Sequence, residues 1–508
     1  MSLTDVLLII PAAGFLITLL LPRNNPNLIR WFAFSVTVLE FIASIFVIKP
    51  VMDSPGIMTS VTDVLWIQSP AVRYHVGLNG LSIWLLLLTT FLTPFMLLVS
   101  WNIIQDRVKE FYAFLLLQMF SVIGVFAAQD LFLFFVMWEI SLVPMYFLIG
   151  IWGHGRRIYA AVKFFLFTMA GSALMLLGII YLYQKAGTFD LTILEEMLAK
   201  GQLAFSHTEA SWLFLAFFLA FAVKVPLFPL HTWLPDAHGE APTAGSVDLA
   251  SLLLKLGTYS IMRICLPLFP GASQEFAPYI IALALIAISY GALVAMVQPN
   301  MKRLVAYSSV SHMGFVILGI FTLTVNGMDG AVYIMLAHGI STGALFLMVG
   351  LLYERRHSLE IADYGGVSSV APALSTCLVI FSLASIGLPL LCNFVGEFLV
   401  LQAAMKVNTL YAVFAAVGVI LSSVYMLWMV QRVCYGDAPP SVRESVKDLD
   451  FREWAIVVPL LIVMVWMGIG VQTFMPAITA RNETAFEIMQ MTGSGQMAQT
   501  AKEPVNAR

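Results

Sequence analysis

Among the ionisable side chains inside apolar stretches long enough to cross a membrane, five stand out. A charge at the centre of a bilayer costs about 2.5–3.5 kcal/mol on insertion scales, so each is a functional candidate. Glu139 is the only carboxylate in the body of Leu131-Phe-Leu-Phe-Phe-Val-Met-Trp-Glu-Ile-Ser-Leu-Val-Pro144. Its plainer role is that of a structural ion-pair partner. Lys224 immediately precedes Val225-Pro226 at the end of a long Phe/Ala/Leu run. Pro226 cannot donate to the carbonyl of Ala222, so the helix is expected to break beside the lysine. Unwound backbone at membrane depth persists only where it is buried in protein or lines a cavity. Lys255 shares a helix face with Asp248, Ser251, Thr258 and Tyr259. Glu397 follows Pro389, the site of a second expected break. Lys163 lies close to the end of its segment, where snorkelling explains it as well as function does.

Histidines extend the set. His312 shares a face with Ser308 and Ser311, and His338 with Ser341 and Thr342. Either alone reads as a hydrogen-bonded packing residue; together, at similar depth in adjacent helices, they suit a hydrated relay. His231 and His238 flank a proline-rich stretch and are expected at a channel mouth. This inventory suits protons better than organic substrates. Burial favours neutral lysine and a nearby carboxylate favours the charged form. At an effective dielectric near 20, a pair at about 4 Å interacts by about 4 kcal/mol, enough for a switch.

These groups have to be positioned by membrane helices. The 508 residues are 60% hydrophobic and only 11% charged, with a mean hydropathy of +0.90. A soluble domain carries about 25% charged residues, so a soluble enzyme and a disordered chain are both excluded. The net charge of −3 gives no basic footprint for nucleic acid. Cys265, Cys377, Cys392 and Cys434 form no CxxC pair, and no GxGxxG or Walker A sequence is present. No disulfide framework, metal site, cluster or nucleotide site is therefore expected.

A spanning helix needs about 20 apolar residues. Fourteen such segments are placed, at 3–22, 29–48, 79–100, 111–127, 129–150, 161–183, 211–230, 243–267, 278–297, 303–324, 329–352, 372–403, 409–431 and 452–475. Of the 26 Lys and Arg residues, 14 fall at or near alternate loops, including Arg23, Arg107, Arg156, Lys302, Arg355 and Arg443. Positive charge marks the inner side, so both termini are expected outside. The apolar run after Met1-Ser-Leu-Thr-Asp5 lacks a basic n-region and reads as a retained first helix rather than a signal peptide. Residues 61–67 and 72–76 read as an outer hairpin around Gln68-Ser-Pro-Ala71, and 191–203 as a short amphipathic piece. The tail from Arg481 is polar and lacks the bulk to fold alone. Pro226 and Pro389 lie 163 residues apart, about five helices, which points to inverted repeats with one broken helix in each.

Several stretches together resemble a known family. They are Phe134-Phe-Val-Met-Trp-Glu-Ile-Ser-Leu-Val-Pro-Met-Tyr-Phe147, Phe221-Ala-Val-Lys-Val-Pro226, His231-Thr-Trp-Leu-Pro-Asp-Ala-His-Gly-Glu-Ala-Pro-Thr-Ala-Gly-Ser246, Ala306-Tyr-Ser-Ser-Val-Ser-His-Met-Gly314 and Asn393-Phe-Val-Gly-Glu-Phe398. The chain is similar to the antiporter-like subunits of proton-pumping NADH–quinone oxidoreductase, respiratory complex I. Glutamate rather than lysine at position 397 favours the M type.

The resemblance implies an all-α polytopic membrane protein of about fourteen helices, with inverted five-helix repeats over helices 4–8 and 9–13 and breaks in helices 7 and 12. It divides the chain into 1–110, the repeats 111–267 and 278–431, a last helix 452–475 and a polar tail 481–508. It implies that Glu139 and Lys224 pair, that Lys255 is central and that Glu397 is terminal, with His312 and His338 between them. Protons would enter from the inner side near His238. Redox chemistry in partner subunits would drive the transfer. The chain would bind no cofactor or metal itself, depending on NADH and quinone only through its partners. Antiporter-like subunits would flank it on both sides in the lipid bilayer, the inner membrane if the source is bacterial. One departure stands out: Leu390-Leu-Cys392 replaces a Gly-Thr-Gly-like sequence usual after the helix 12 proline, which puts that break in doubt. The alternatives are a subunit of a multi-subunit cation/proton antiporter or of a membrane-bound hydrogenase in the same family. A haem-bearing quinol oxidase would call for a histidine pair on one helix, which is absent here.

Overall fold

In hydrocarbon every backbone N–H and C=O has to be satisfied within the segment, so apolar runs of this length fold as helices. The computed structural model describes residues 2–500. Among them, twelve unbroken helices are long and apolar enough to cross a membrane. In chain order the bundle runs α1 (Leu3–Leu20), α2 (Pro26–Ile45), α3 (Ser82–Val99), α4 (Val108–Ala127), α5 (Leu131–Trp152), α6 (Arg157–Ala186), α7 (His207–Lys224) and α8 (Thr243–Leu268). It continues with α9 (Pro270–Met296), α10 (Met301–Phe321), α11 (Val325–Arg356), α12 (Pro372–Ser385), α13 (Thr409–Cys434) and α14 (Phe451–Ile469). A helix lies at each of the fourteen expected segments. The two outside the twelve are the interrupted ones: α7 resumes as Trp233–Glu240, and α12 resumes as Cys392–Val407.

The hairpin forms as expected, with β1 (Thr59–Ile67) antiparallel to β2 (Val72–Leu78) and Asp63 opposite His75. It is tied to the bundle by a 2.5 Å bond between His75 Nδ1 and Asp190, just before the amphipathic helix Leu191–Ala199. The C-terminal stretch is helical. Residues 475–500 form α15 (Met475–Thr500). The polar residues that cannot build a core of their own bond to the bundle: Thr479 and Asn482 each donate to Asp329 at 2.7 Å. Lys502 and Arg508, assigned to the same tail, lie outside the described residues.

The helices that hold the candidate residues are the most enclosed. The apolar windows of α8 and α11 are fully buried and that of α10 is 94% buried, whereas those of α1, α2, α6 and α13 are less than half covered. Lysine and histidine on α8, α10 and α11 therefore face protein, not lipid.

Candidate functional site

The break in α7 is re-capped by its own motif. Without an N–H on Pro226, the Ala222 carbonyl loses its usual donor, and the Leu227 N–H takes it at 2.9 Å. The next carbonyl, of Val223, accepts from the indole Nε1 of Trp233 at 2.9 Å. The tryptophan of His231-Thr-Trp-Leu-Pro235 thus reaches back to close the helix end that the proline opens. Lys224 is the last residue of that end and is 1% exposed. It donates to Ser141 Oγ at 3.3 Å, and its ammonium lies 4.8 Å from the centroid of the Trp138 ring.

Glu139 is not its contact partner. No hydrogen bond or ion pair joins Glu139 to Lys224, and Glu139 Oε1 is buried without a partner. The reason is helical phase: Trp138 and Ser141, three residues apart, share the face turned to Lys224, and Glu139 points to one side of it. Glu139 and Asp248 nevertheless both act on Lys224 electrostatically.

Lys255 sits between two π-helical turns, Leu249–Leu253 and Ile261–Cys265, a distortion of α8 that sequence periodicity does not reveal. It is fully buried and donates to the Ala250 carbonyl and to His338 Nδ1, the latter at 2.8 Å. Three members of the expected stripe face α11: Ser251 bonds to the Gly339 carbonyl at 2.7 Å, Lys255 to His338, and Thr258 to Met335 Sδ at 2.7 Å. Tyr259 turns away to the Phe126 carbonyl at 3.0 Å. The close approach requires glycine at 343, where a Cβ would lie 2.5 Å from Ser251 Oγ.

From His338 the polar groups continue toward Glu397, with no direct hydrogen bond between the two histidines. The rings of His338 and His312 are 5.7 Å apart, and His312 Nδ1 lies 3.4 Å from Glu397 Oε1. His312 Nε2 is 3.4 Å from Ser385 Oγ, and the Asn393 amide donates to the Ser385 carbonyl at 3.4 Å across the α12 break. The break forms despite the Leu390-Leu-Cys392 departure, because Leu390 itself adopts φ +75°. Gly387, also at φ +75°, lies against the carboxylate: a Cβ there would be 2.5 Å from Glu397 Oε2.

Other expectations need correction. His231 and His238 are 3% and 0% exposed, so neither lies at an open mouth. His238 stacks on Phe346 at 4.6 Å with both ring nitrogens unpartnered, and His231 packs on Phe228 and Tyr290. Lys163 is an ion-pair partner, 2.7 Å from Asp236, which also meets Arg303 at 3.3 Å. Near this ion pair, His154 in the loop between α5 and α6 is driven down to about 4 by burial, assisted by the charges of Lys302 and Arg157, and stays neutral at pH 7. Lys302, counted among the loop charges, is buried and donates to the Ala241 carbonyl. Sequence reasoning also passed over Gln118, which is 1% exposed with both amide atoms unpartnered, and Arg263, which is buried against Glu195 and Gln129.

Lys255, His338, His312 and Glu397 thus make a buried row of groups that can each take up and release a proton, with unpartnered nitrogens where water can bridge. Residues 128–422 match the family described as NADH:quinone oxidoreductase/Mrp antiporter, transmembrane. Subunit M of the NADH-quinone oxidoreductase of Rhodobacter capsulatus is 44% identical over 448 residues, 87% of each chain. NADH-ubiquinone oxidoreductase chain 4 of Marchantia polymorpha is 40% identical over 92% of this chain and 94% of that one. A chain of respiratory complex I from Thermus thermophilus superposes with a TM-score of 0.86 at 31% identity, covering 96% of this chain and all (100%) of that one. A chain of the Mrp complex from Dietzia sp. superposes at 0.85 with 20% identity over 98% and 100% of the two chains, a likeness of fold. The chain belongs to the NADH:quinone oxidoreductase/Mrp antiporter transmembrane family, among its subunit M members.

Proposed function

We propose that the chain is the M-type proton-translocating membrane subunit of an NADH:quinone oxidoreductase and that protons pass along Lys255, His338, His312 and Glu397. The observation that carries this reading is the close succession of Lys255, His338, His312 and Glu397 at the most enclosed part of the bundle. Glu139 and Asp248 set the charge around Lys224, and a change in either alters the readiness of Lys224 to give up its proton to the row. Water at the unpartnered nitrogens of His238 and the amide of Gln118 supplies the steps that side chains do not bridge. Each 100 mV of membrane potential costs about 2.3 kcal/mol per proton, so the drive comes from redox chemistry in the neighbouring subunits.

In this reading the chain crosses the membrane fourteen times, with inverted repeats at 111–267 and 278–431 preceded by the unit 1–110 and followed by the helix 452–475 and the polar tail 481–508. The distribution of Lys and Arg supports both termini on the outer side of a bacterial cytoplasmic membrane. Antiporter-like subunits pack on both flanks.

The test is proton pumping by the intact complex in vesicles carrying Lys224→Ala, Lys224→Arg or Glu139→Gln. Pumping and NADH-driven quinone reduction fall together in all three, arginine failing because it cannot discharge. Wild-type pumping in Lys224→Arg and Glu139→Gln would discard the assignment.

A further inference from the structure

The buried face of α2 carries a second set of polar groups, away from the row. Arg30, Thr37, Glu40 and Ser44 follow at spacings of seven, three and four residues, one side of a helix. All four are buried, the last three completely (0%). The other side of α2 presents Trp31, Leu39, Ile42 and Ile45 outward. Arg30 anchors the inner end by donating to the Ile104 carbonyl at 2.8 Å and to Gln105 at 3.0 Å. Ser44 pairs with Thr90 of α3 at 2.9 Å. Between these anchors, both carboxylate oxygens of Glu40 are buried without any partner.

The helices packed on α2 offer Glu40 no compensating charge. Asp5 of α1 is held by Thr62 and Tyr74 at the hairpin. On α4, Lys109 bonds to the Leu21 carbonyl and Glu110 pairs with Arg23, both at the inner end, while α3 carries no charged residue. A buried charge left unpaired is strongly destabilising, whereas a neutral acid needs only hydrogen-bond partners.

We propose that Glu40 is a proton-binding site separate from the central row: its carboxyl carries a proton at neutral pH and exchanges it with solvent through water along the Thr37–Glu40–Ser44 seam. A purely structural acid would be locked by hydrogen bonds from the chain, and Glu40 has none. The site stands independently of the row, since none of the row's groups contributes to it.

The test is infrared spectroscopy on the intact complex in lipid vesicles at neutral pH. A protonated carboxyl gives a C=O stretching band above the amide region; this band is lost in Glu40→Gln and changes frequency in Glu40→Asp. In the unaltered complex, transfer to D2O shifts the same band downward. Should Glu40→Gln fail to assemble, the frequency change in Glu40→Asp assigns the band. Two results would overturn the proposal: no band that responds to substitution at 40, meaning an ionised side chain, or a band that D2O leaves in place, meaning a locked acid.

Discussion

Replacing Gly387 by alanine tests the terminal step of the row without touching a titratable group. Gly387 lies in the α12 break at φ +75°, a backbone conformation that costs a residue with a Cβ about 1–2 kcal/mol. The new Cβ would lie 2.5 Å from Glu397 Oε2, so that oxygen has to retreat by about 1 Å to reach ordinary contact. The His312–Glu397 separation is 3.4 Å. Lengthening it by that amount at an effective dielectric near 20 weakens the attraction between the charged forms by roughly 1 kcal/mol. The two effects together, about 2–3 kcal/mol, fall below the 5–15 kcal/mol that typically holds a domain folded, so the complex assembles and the defect shows in proton transfer. The assay is proton uptake into vesicles during quinone reduction, normalised to NADH oxidation by an artificial acceptor. Pumping falls several-fold with the acceptor rate unchanged. Leu390→Gly serves as the control: it relieves a left-handed leucine in the same break and leaves Glu397 untouched, so pumping is retained. Wild-type pumping by Gly387→Ala would refute the placement of Glu397 at the end of the row.

Trp233→Phe keeps the packing of the α7 break but leaves the buried Val223 carbonyl without its donor, a cost of about 1–3 kcal/mol. The helix end frays beside Lys224; hydrogen exchange of residues 222–227 rises, and unchanged protection there would contradict the re-capping. Glu195→Gln leaves the buried Arg263 guanidinium without the carboxylate bonded to it, Gln129 offering only a neutral acceptor, and breaking such a pair costs about 3–5 kcal/mol. The thermal midpoint of the purified complex drops; an unaltered midpoint would mean that this ion pair does not hold the Arg263 end of α8.

Much of this architecture could be read from residue order because membrane constraints are severe. Apolar runs had to become helices, and Pro226 and Pro389 had to interrupt them. His312 and His338, chosen for their serine neighbours, do meet. Tertiary geometry decided the rest. Glu139 was expected against Lys224, but the phase of α5 presents Ser141 and Trp138 instead. The π turns around Lys255 depend on how α8 packs between its neighbours and leave no trace in periodicity. Lys302 reads as a loop charge, yet its contacts bury it. The burial of Glu40 is signalled only by the seven-three-four spacing of Arg30, Thr37, Glu40 and Ser44. Polar residues in α15 looked disordered only because their partners, such as Asp329, lie far away in sequence.

In the proposed relay Lys255 hands charge to His338 and onward to Glu397. The decisive experiment is Lys255→Met in the intact complex, measuring protons pumped per NADH oxidised alongside NADH oxidation by an artificial acceptor. Loss of pumping with the acceptor reaction intact is the result expected of a proton relay through this lysine. An unaltered proton-to-electron ratio would show that protons cross the membrane by another route.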